Sequence, residues 1–191
     1  MAENMKKIES GFFARKSDVV ARELVGRSII RKLEGKTLVS LVSEAWSFEG
    51  LGKRTTNKQG IVGAPGQVYL MPSRTAILFN IATERKGVPS CVMIRGLIPL
   101  DKDAAPDLKN RVDGPGRVST YLKLGMEMDG GFVTDSGLWV ADAFLSLFKV
   151  TPLKPDNTPE NFVGAWGLVT ELSIGDITLD AMKKFAKKAG C

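Results

Sequence analysis

Residues 28–46 read SIIRKLEGKTLVSLVSEAW, and this stretch carries the clearest structural signal in the chain. Residues 28–33 are short and rich in β-branched side chains, and residues 37–46 form a second largely apolar run, as expected for β-strands. Glu34-Gly35 separates the two runs with a residue pair suited to a tight turn. The sequence therefore predicts a β-hairpin whose turn lies at Glu34-Gly35.

Further elements are predicted on both sides of this hairpin. Helices are expected at residues 18–25, 117–124 and 178–188, and further strands at 67–71, 75–82 and 91–97. Polar or proline-containing connections are expected at residues 50–66, 99–111 and 151–159. Pro72 interrupts the strand signal, which predicts a hairpin tip at Pro72-Ser73-Arg74. Because strands outnumber helices without βαβ alternation, the fold class is α+β with a curved, largely antiparallel sheet flanked by helices and a protruding β-hairpin.

The composition limits the kinds of chemistry available. The chain has 191 residues, of which 43% are hydrophobic, so residues 1–191 are expected to form a single domain. There is no histidine and there are only two cysteines, so we expect no metal site, no cofactor and no disulfide framework. The polar first ten residues and the lack of a long apolar run predict a protein that is neither exported nor membrane-bound. We expect it in the cytoplasm.

The charge balance points to a polyanionic partner. There are 27 basic and 21 acidic residues, which gives a formal net charge of +6. A basic surface favours duplex DNA, RNA or an anionic membrane face.

Three polar residues stand in apolar surroundings, where they need a reason to be buried. Glu44 lies near the end of the second strand, with Ser40 and Val42 expected on its face; Arg95 interrupts Val92–Leu97; and Asn80 lies between Phe79 and Ile81. An ion pair between Glu44 and Arg95 would explain both charges. That pair is equally compatible with a structural salt bridge and with a catalytic site. Asn80 is expected to bond a neighbouring backbone group.

Six short segments, in order from about Phe12 to Gly130, resemble the alkyladenine (3-methyladenine) DNA glycosylase family. The helix segment Ala21–Arg27 resembles Ala-x-x-Leu-Leu-Gly-Lys, and Ser43–Trp46 resembles Thr-Glu-Ala-Tyr. The remaining matches are Pro65–Tyr69 with Pro-Gly-x-x-Tyr, Leu78–Ile81 with a strand ending in Asn-Ile or Asn-Val, Cys91–Pro99 with Val-Leu-Ile-Arg-Ala-x-Glu-Pro, and Asp113–Val118 with Asn-Gly-Pro-Gly-Lys-Leu.

The resemblance implies a monofunctional enzyme that flips a damaged, alkylated or deaminated purine out of duplex DNA and hydrolyses its N-glycosidic bond. Glu44 would then be the general base that activates water, and Arg95 would hold the water and the glutamate. Trp46 would be an aromatic wall of the base pocket, Asn80 would lie at the minor-groove edge of the base, and Tyr69 and Met71 would complete the pocket. No cofactor is implied, and the protein would act as a monomer.

The sequence departs from the family pattern in its pocket and at its hairpin tip. The family histidine after the catalytic strand is absent, Met71 replaces a second aromatic wall, and Pro72-Ser73-Arg74 replaces an intercalating tyrosine. These changes predict a narrower or shifted range of lesions. Contacts to DNA are expected from the hairpin tip, from the basic loop, and from backbone amides and an arginine at a helix start; these residues are Ser73, Arg74, Arg54, Lys58, Gly116 and Arg117.

Two other functions compete with this interpretation. The chain could be a non-catalytic member of the same family that binds lesions or DNA without turnover. It could also be an RNA- or ribosome-associated α+β module, which would explain the charge but not the Glu44 and Arg95 pair.

Overall fold

A curled antiparallel sheet of nine strands organises the chain in the computed structural model, which describes residues 5–50, 63–100, 111–135, 137–142 and 149–169. The elements follow in the order α1 (Ser10–Phe13), α2 (Ser17–Leu24), β1 (Ser28–Leu33), β2 (Lys36–Glu49), β3 (Val68–Pro72), β4 (Ile77–Ala82), β5 (Ser90–Pro99), β6 (Val112–Asp113), α3 (Pro115–Tyr121), β7 (Leu138–Ala141), β8 (Lys149–Leu153) and β9 (Phe162–Val169). This confirms the α+β class and the antiparallel sheet. That residues 1–191 form a single domain stays a prediction.

The long strand β2 is the centre of the sheet. Its first part pairs with β1, its part from Ser40 onward pairs with β5, and its Glu44–Phe48 segment pairs with β9 on the other side. From Leu38 to Phe48, Glu44 is the one residue that is not buried. A carboxylate in a strand that is paired along both edges and otherwise buried is costly unless it is hydrogen-bonded or functional, so Glu44 needs an explanation.

Both predicted hairpins are present. Gly35 closes the β1–β2 turn with a φ of 68°, a left-handed conformation that glycine adopts without a steric penalty. The β3–β4 hairpin pairs Pro72 with Ile77, and its tip is closed by a hydrogen bond from the Ser73 amide to the Ala76 carbonyl at 2.7 Å.

The main core lies between one face of the sheet and the helices. From α2, Val20, Ala21 and Leu24 are fully buried against that face. Two smaller apolar clusters lie apart from this core, and one of them contains Trp46, Phe48, Cys91, Met93 and Ala165. The helix expected at 18–25 is therefore confirmed, with a start one residue earlier, and its apolar stripe explains its position.

Several expectations about the second half of the chain were wrong or lie outside the described residues. Residues 151–159 were expected to form an extended loop, but Lys149–Leu153 is the strand β8, which pairs with β9. The helix expected at 117–124 begins at Pro115, because proline is favoured in the first helical turn, and it ends at Tyr121, three residues earlier than expected. The helix expected at 178–188 lies outside the described residues. Within the described part of the chain, no helix is long and apolar enough to cross a membrane.

Candidate active site

The site is built on a break in the pairing of β2 with β5. The register runs Val42 with Leu97, Glu44 with Gly96 and Ala45 with Ile94, so Ser43 on one strand and Arg95 on the other are left without a partner. Such bulges re-aim side chains and are frequent next to active sites.

One expectation about Glu44 was wrong because of the bulge. Val42 was expected on the same face as Glu44, but Val42 and Ala45 both lie in the main core. The alternation of side chains between the two faces of the strand therefore shifts by one residue between Val42 and Ala45. Glu44 is thereby turned to the opposite face, where its side chain is 21% exposed. The bulge thus turns a carboxylate out of a segment, Leu38–Phe48, whose other residues are all buried.

Glycines flank Glu44 on both neighbouring strands. Its cross-strand partners are Gly96 on β5 and Gly167 on β9. A Cβ atom at Gly96 would lie 2.5 Å from the Ser43 hydroxyl oxygen and 3.1 Å from the Glu44 Cβ atom. The close approach of the two strands at the bulge therefore depends on Gly96.

Glu44 is held by two donors on one oxygen. The Trp46 Nε1–H donates to Glu44 Oε1 at 2.7 Å, and the Arg95 Nε–H donates to the same oxygen at 3.2 Å. The Arg95 guanidinium also lies 3.9 Å from the centre of the Trp46 ring, in a cation–π contact. The three side chains form a closed triangle, and the ion pair expected between Glu44 and Arg95 is confirmed.

Trp46 lies next to Glu44 but is itself almost buried. Its side of the sheet carries an aromatic cluster, in which the Trp46 ring meets Phe162 edge-on at 5.3 Å and Phe48 at 6.4 Å. The residue is 8% exposed, with Arg95 over the ring. Its expected role as a wall for a flipped base stays a prediction.

The other expected pocket residues continue from Trp46 in one row across the sheet. Trp46 pairs with Met93, Met93 with Asn80, and Asn80 with Tyr69, so these side chains share a face. Met71 follows two residues after Tyr69 and is half-buried. The Asn80 amide donates to the Tyr69 and Leu78 carbonyls at 3.2 and 3.1 Å, which confirms the expected backbone bonding.

Two ionisable groups near this row are neutral at physiological pH. Burial raises the pKa of the Cys91 thiol to about 12, so it is not a thiolate nucleophile. Burial, with smaller effects of Cys91 and Asp129, raises the pKa of Tyr69 above its ordinary 10.0, so it is not a phenolate. Among the residues described above, Glu44 is therefore the one that can act as a base on this face of the sheet.

Some of the residues expected to contact DNA lie close to one another in the structure. Ser73 and Arg74 are exposed at the hairpin tip, and Arg117 is exposed on α3. The two elements touch, because a Cβ atom at Gly116 would lie 2.6 Å from that of Ala76. Between them runs a groove of ≈ 440 Å³ whose polar lining includes Ser73, Thr75, Ser119, Thr120 and Lys123. Arg54 and Lys58 lie outside the described residues.

Sequence reasoning missed three parts of the site. It did not anticipate the bulge at Ser43, the requirement for glycine at Gly96, or the pairing of β9 with the Glu44 segment. The small residues Gly164 and Gly167 within the apolar run Phe162–Val169 were the available signal, because glycine inside a strand marks a close approach.

Replacing Gly96 with alanine should destabilise the protein by about 1–3 kcal/mol, the usual cost of overpacking. The new methyl group would press on Ser43 and Glu44 at the bulge. The free energy of unfolding from urea denaturation measures this, with Gly11→Ala as control, because a Cβ atom at Gly11 meets nothing within 4 Å. Adding Ser43→Ala to Gly96→Ala should recover part of the loss. Equal stabilities of the Gly96→Ala and Gly11→Ala variants would contradict the crowded bulge.

The chain is similar to known proteins over most of its length. A family model described as methylpurine-DNA glycosylase (MPG) matches residues 11–155. A Listeria monocytogenes protein named "Putative 3-methyladenine DNA glycosylase" is 27% identical over 158 residues, which cover 72% of this chain and 75% of its own. A protein of the same name from Aeropyrum pernix is 28% identical over 155 residues, which cover 75% of this chain and 78% of its own.

Proposed function

The chain belongs to the methylpurine-DNA glycosylase family, and on that premise we propose that it removes damaged purines from duplex DNA by hydrolysing the N-glycosidic bond. The observation that carries the proposal is the triangle of Glu44, Arg95 and Trp46 at the bulge. A carboxylate turned out of a buried strand and fixed by two donors is positioned for acid–base work. A merely structural ion pair gives no reason for the bulge.

The reaction follows from the chemistry of the carboxylate. A target base cannot be reached inside a duplex, so the nucleotide is flipped out of the stack. Glu44 accepts a proton from a water molecule, and the water oxygen bonds to the anomeric carbon of the sugar. The base leaves with the electron pair of the broken N-glycosidic bond, and an abasic site remains. A cationic alkylated purine is neutral once it has taken this pair, whereas an uncharged purine also takes up a proton from solvent. Arg95 orients Glu44 and the water through charge-assisted hydrogen bonds.

The surrounding residues are assigned to the base and to the DNA backbone. Met71, Asn80 and Tyr69 would line the base pocket from one face of the sheet, and Trp46 lies at the end of this row next to Glu44. Met71 or Arg74 would fill the space left by the flipped nucleotide, since small apolar or basic wedges serve this purpose. Ser73 at the hairpin tip would contact the DNA beside them. Arg117, beside Gly116, would contact a phosphate, as the net charge of +6 favours. The protein would act as a monomer on nucleoid or nuclear DNA.

The assay that tests the proposal is alkali-revealed strand cleavage of duplexes that each carry one defined lesion. Wild-type protein should produce abasic sites on at least one damaged purine. Lesion binding without any product would instead support a non-catalytic, DNA-binding member of the family. Stronger competition by structured RNA than by lesion duplex would support an RNA-associated module.

The lesion range should favour methylated purines. Met71 stands where the family has an aromatic wall, and stacking on an aromatic side chain is worth about 1–3 kcal/mol per base. Cationic alkylated purines have weak glycosidic bonds, so their excision depends less on this stacking energy. Under enzyme excess, 7-methylguanine should be excised at least about tenfold faster than hypoxanthine or ethenoadenine, which corresponds to 1.4 kcal/mol within that stacking range. Equal rates on the three lesions would contradict this preference.

A further inference from the structure

The geometry points to Trp46 as a positioning residue for Glu44, with its indole N–H rather than its ring face as the functional group. This inference rests on the proposed function and deepens it. We propose that Trp46 and Arg95 together hold Oε1 of Glu44, so that Oε2 is the oxygen that receives the proton of the attacking water.

The first argument is the hydrogen-bond pattern. Both hydrogen bonds that described side chains donate to Glu44 end on Oε1, and the shorter one, at 2.7 Å, comes from Trp46 Nε1. A carboxylate can accept about four hydrogen bonds over its two oxygens. Fixing one oxygen by two donors from different directions sets the carboxylate plane and leaves the other oxygen to the reaction.

The second argument is the burial of the Trp46 ring. A base can stack only on an open ring face, yet Trp46 is 8% exposed, with the Arg95 guanidinium 3.9 Å from the ring centre. Phe162 meets the ring edge-on at 5.3 Å. The ring is therefore packed against its neighbours, and its Nε1–H is the group that reaches Glu44.

The third argument is the fixed position of Trp46 in the sheet. It pairs with Met93 on one side and with Ala165 on the other, so its backbone is held by two strands. Glu44 lies two residues earlier on the same strand and the same face. A donor that is rigid in this way keeps the carboxylate in one orientation, as a catalytic group requires.

The test is Trp46→Phe, which removes the N–H and keeps an aromatic ring. We expect the single-turnover rate of excision to fall about tenfold or more, while the Kd for lesion duplex stays within about threefold of wild type. Incorporating benzothienylalanine at position 46, which matches the shape of tryptophan but has no N–H, should give the same loss without a packing defect. Trp139→Phe is the matched control, because the Nε1 of this buried indole has no hydrogen-bond partner among the described residues.

A second measurement is independent of activity. The chain has three tryptophans, so its ¹H–¹⁵N spectrum has three indole N–H signals, and Trp46→Phe identifies the one from Trp46. Glu44→Gln should move that signal markedly and the Trp139 signal very little. An unmoved Trp46 signal, or a Trp46→Phe rate within twofold of wild type, overturns the inference. A loss in Kd with an unchanged rate would instead identify Trp46 as a stacking wall. If wild-type protein excises nothing while the signal moves, the proposed function fails and the hydrogen bond stands.

Discussion

Replacing Glu44 with glutamine is expected to lower the single-turnover rate of base excision by about 10²- to 10⁴-fold, the usual contribution of a positioned general acid or base. The amide keeps the shape of the side chain and an oxygen that accepts hydrogen bonds, but it cannot take a proton from water. Alkali-revealed strand cleavage under enzyme excess gives the rate. Lesion binding should be retained, because the change removes the general base and leaves the pocket that binds the damaged purine.

Glu49→Gln is the matched control for this experiment. Glu49 is on the same strand, at its exposed end, where it accepts a hydrogen bond from the Ser17 hydroxyl at 3.2 Å. This variant should excise at a rate within about twofold of wild type. If Glu44→Gln also excised within tenfold of wild type, the general base would have to be another residue.

Replacing Arg95 with methionine should lower the excision rate by about 10²-fold, a typical loss for one positioned donor in an active site. The substitution keeps an unbranched side chain over the Trp46 ring but removes the donor and the charge that hold Glu44. Arg95→Lys should recover little of the rate, because an ammonium group does not reproduce the planar contact with both partners.

Arg15→Met controls for the loss of one positive charge. Arg15 also combines an ion pair, with Glu23 at 3.0 Å, and a cation–π contact, with Phe12 at 4.6 Å, but it lies on the helical side of the molecule. Its loss should leave the excision rate within about twofold of wild type. Equal losses in the two variants would mean that Arg95 acts through general attraction to DNA.

The sequence predicted the elements that are determined locally. The turn at Gly35, the hairpin tip after Pro72 and the helix at Ser17–Leu24 each depend on a few neighbouring residues, and each is present. Strand β8 was missed because its Pro152 suggested a loop. Within the described residues β8 pairs only with β9, and a strand with an open side tolerates a residue without an N–H.

The pairing of Glu44 with Arg95 was predicted from two isolated charges, but the way in which they meet was not. Simple alternation placed Glu44 on the same face as Val42, whereas the bulge separates them. A bulge is a property of two strands together, so it depends on Gly96 as much as on Ser43. Alternation does place Trp46 on the same face as Glu44, but which group of its side chain meets the carboxylate depends on the packing of Phe48, Phe162 and Arg95 around the ring.

The pairing of β9 with β2 has a consequence for the order in which the protein forms during synthesis. Glu44 pairs with Gly167, more than 110 residues later in the chain. Contacts this distant in sequence form slowly. On the ribosome, the backbone N–H and C=O groups along one edge of the Glu44–Phe48 segment stay unpaired until β9 has been synthesised, and unpaired edges of this kind invite aggregation. The strand that carries Glu44 is thus synthesised long before the strand that completes its pairing.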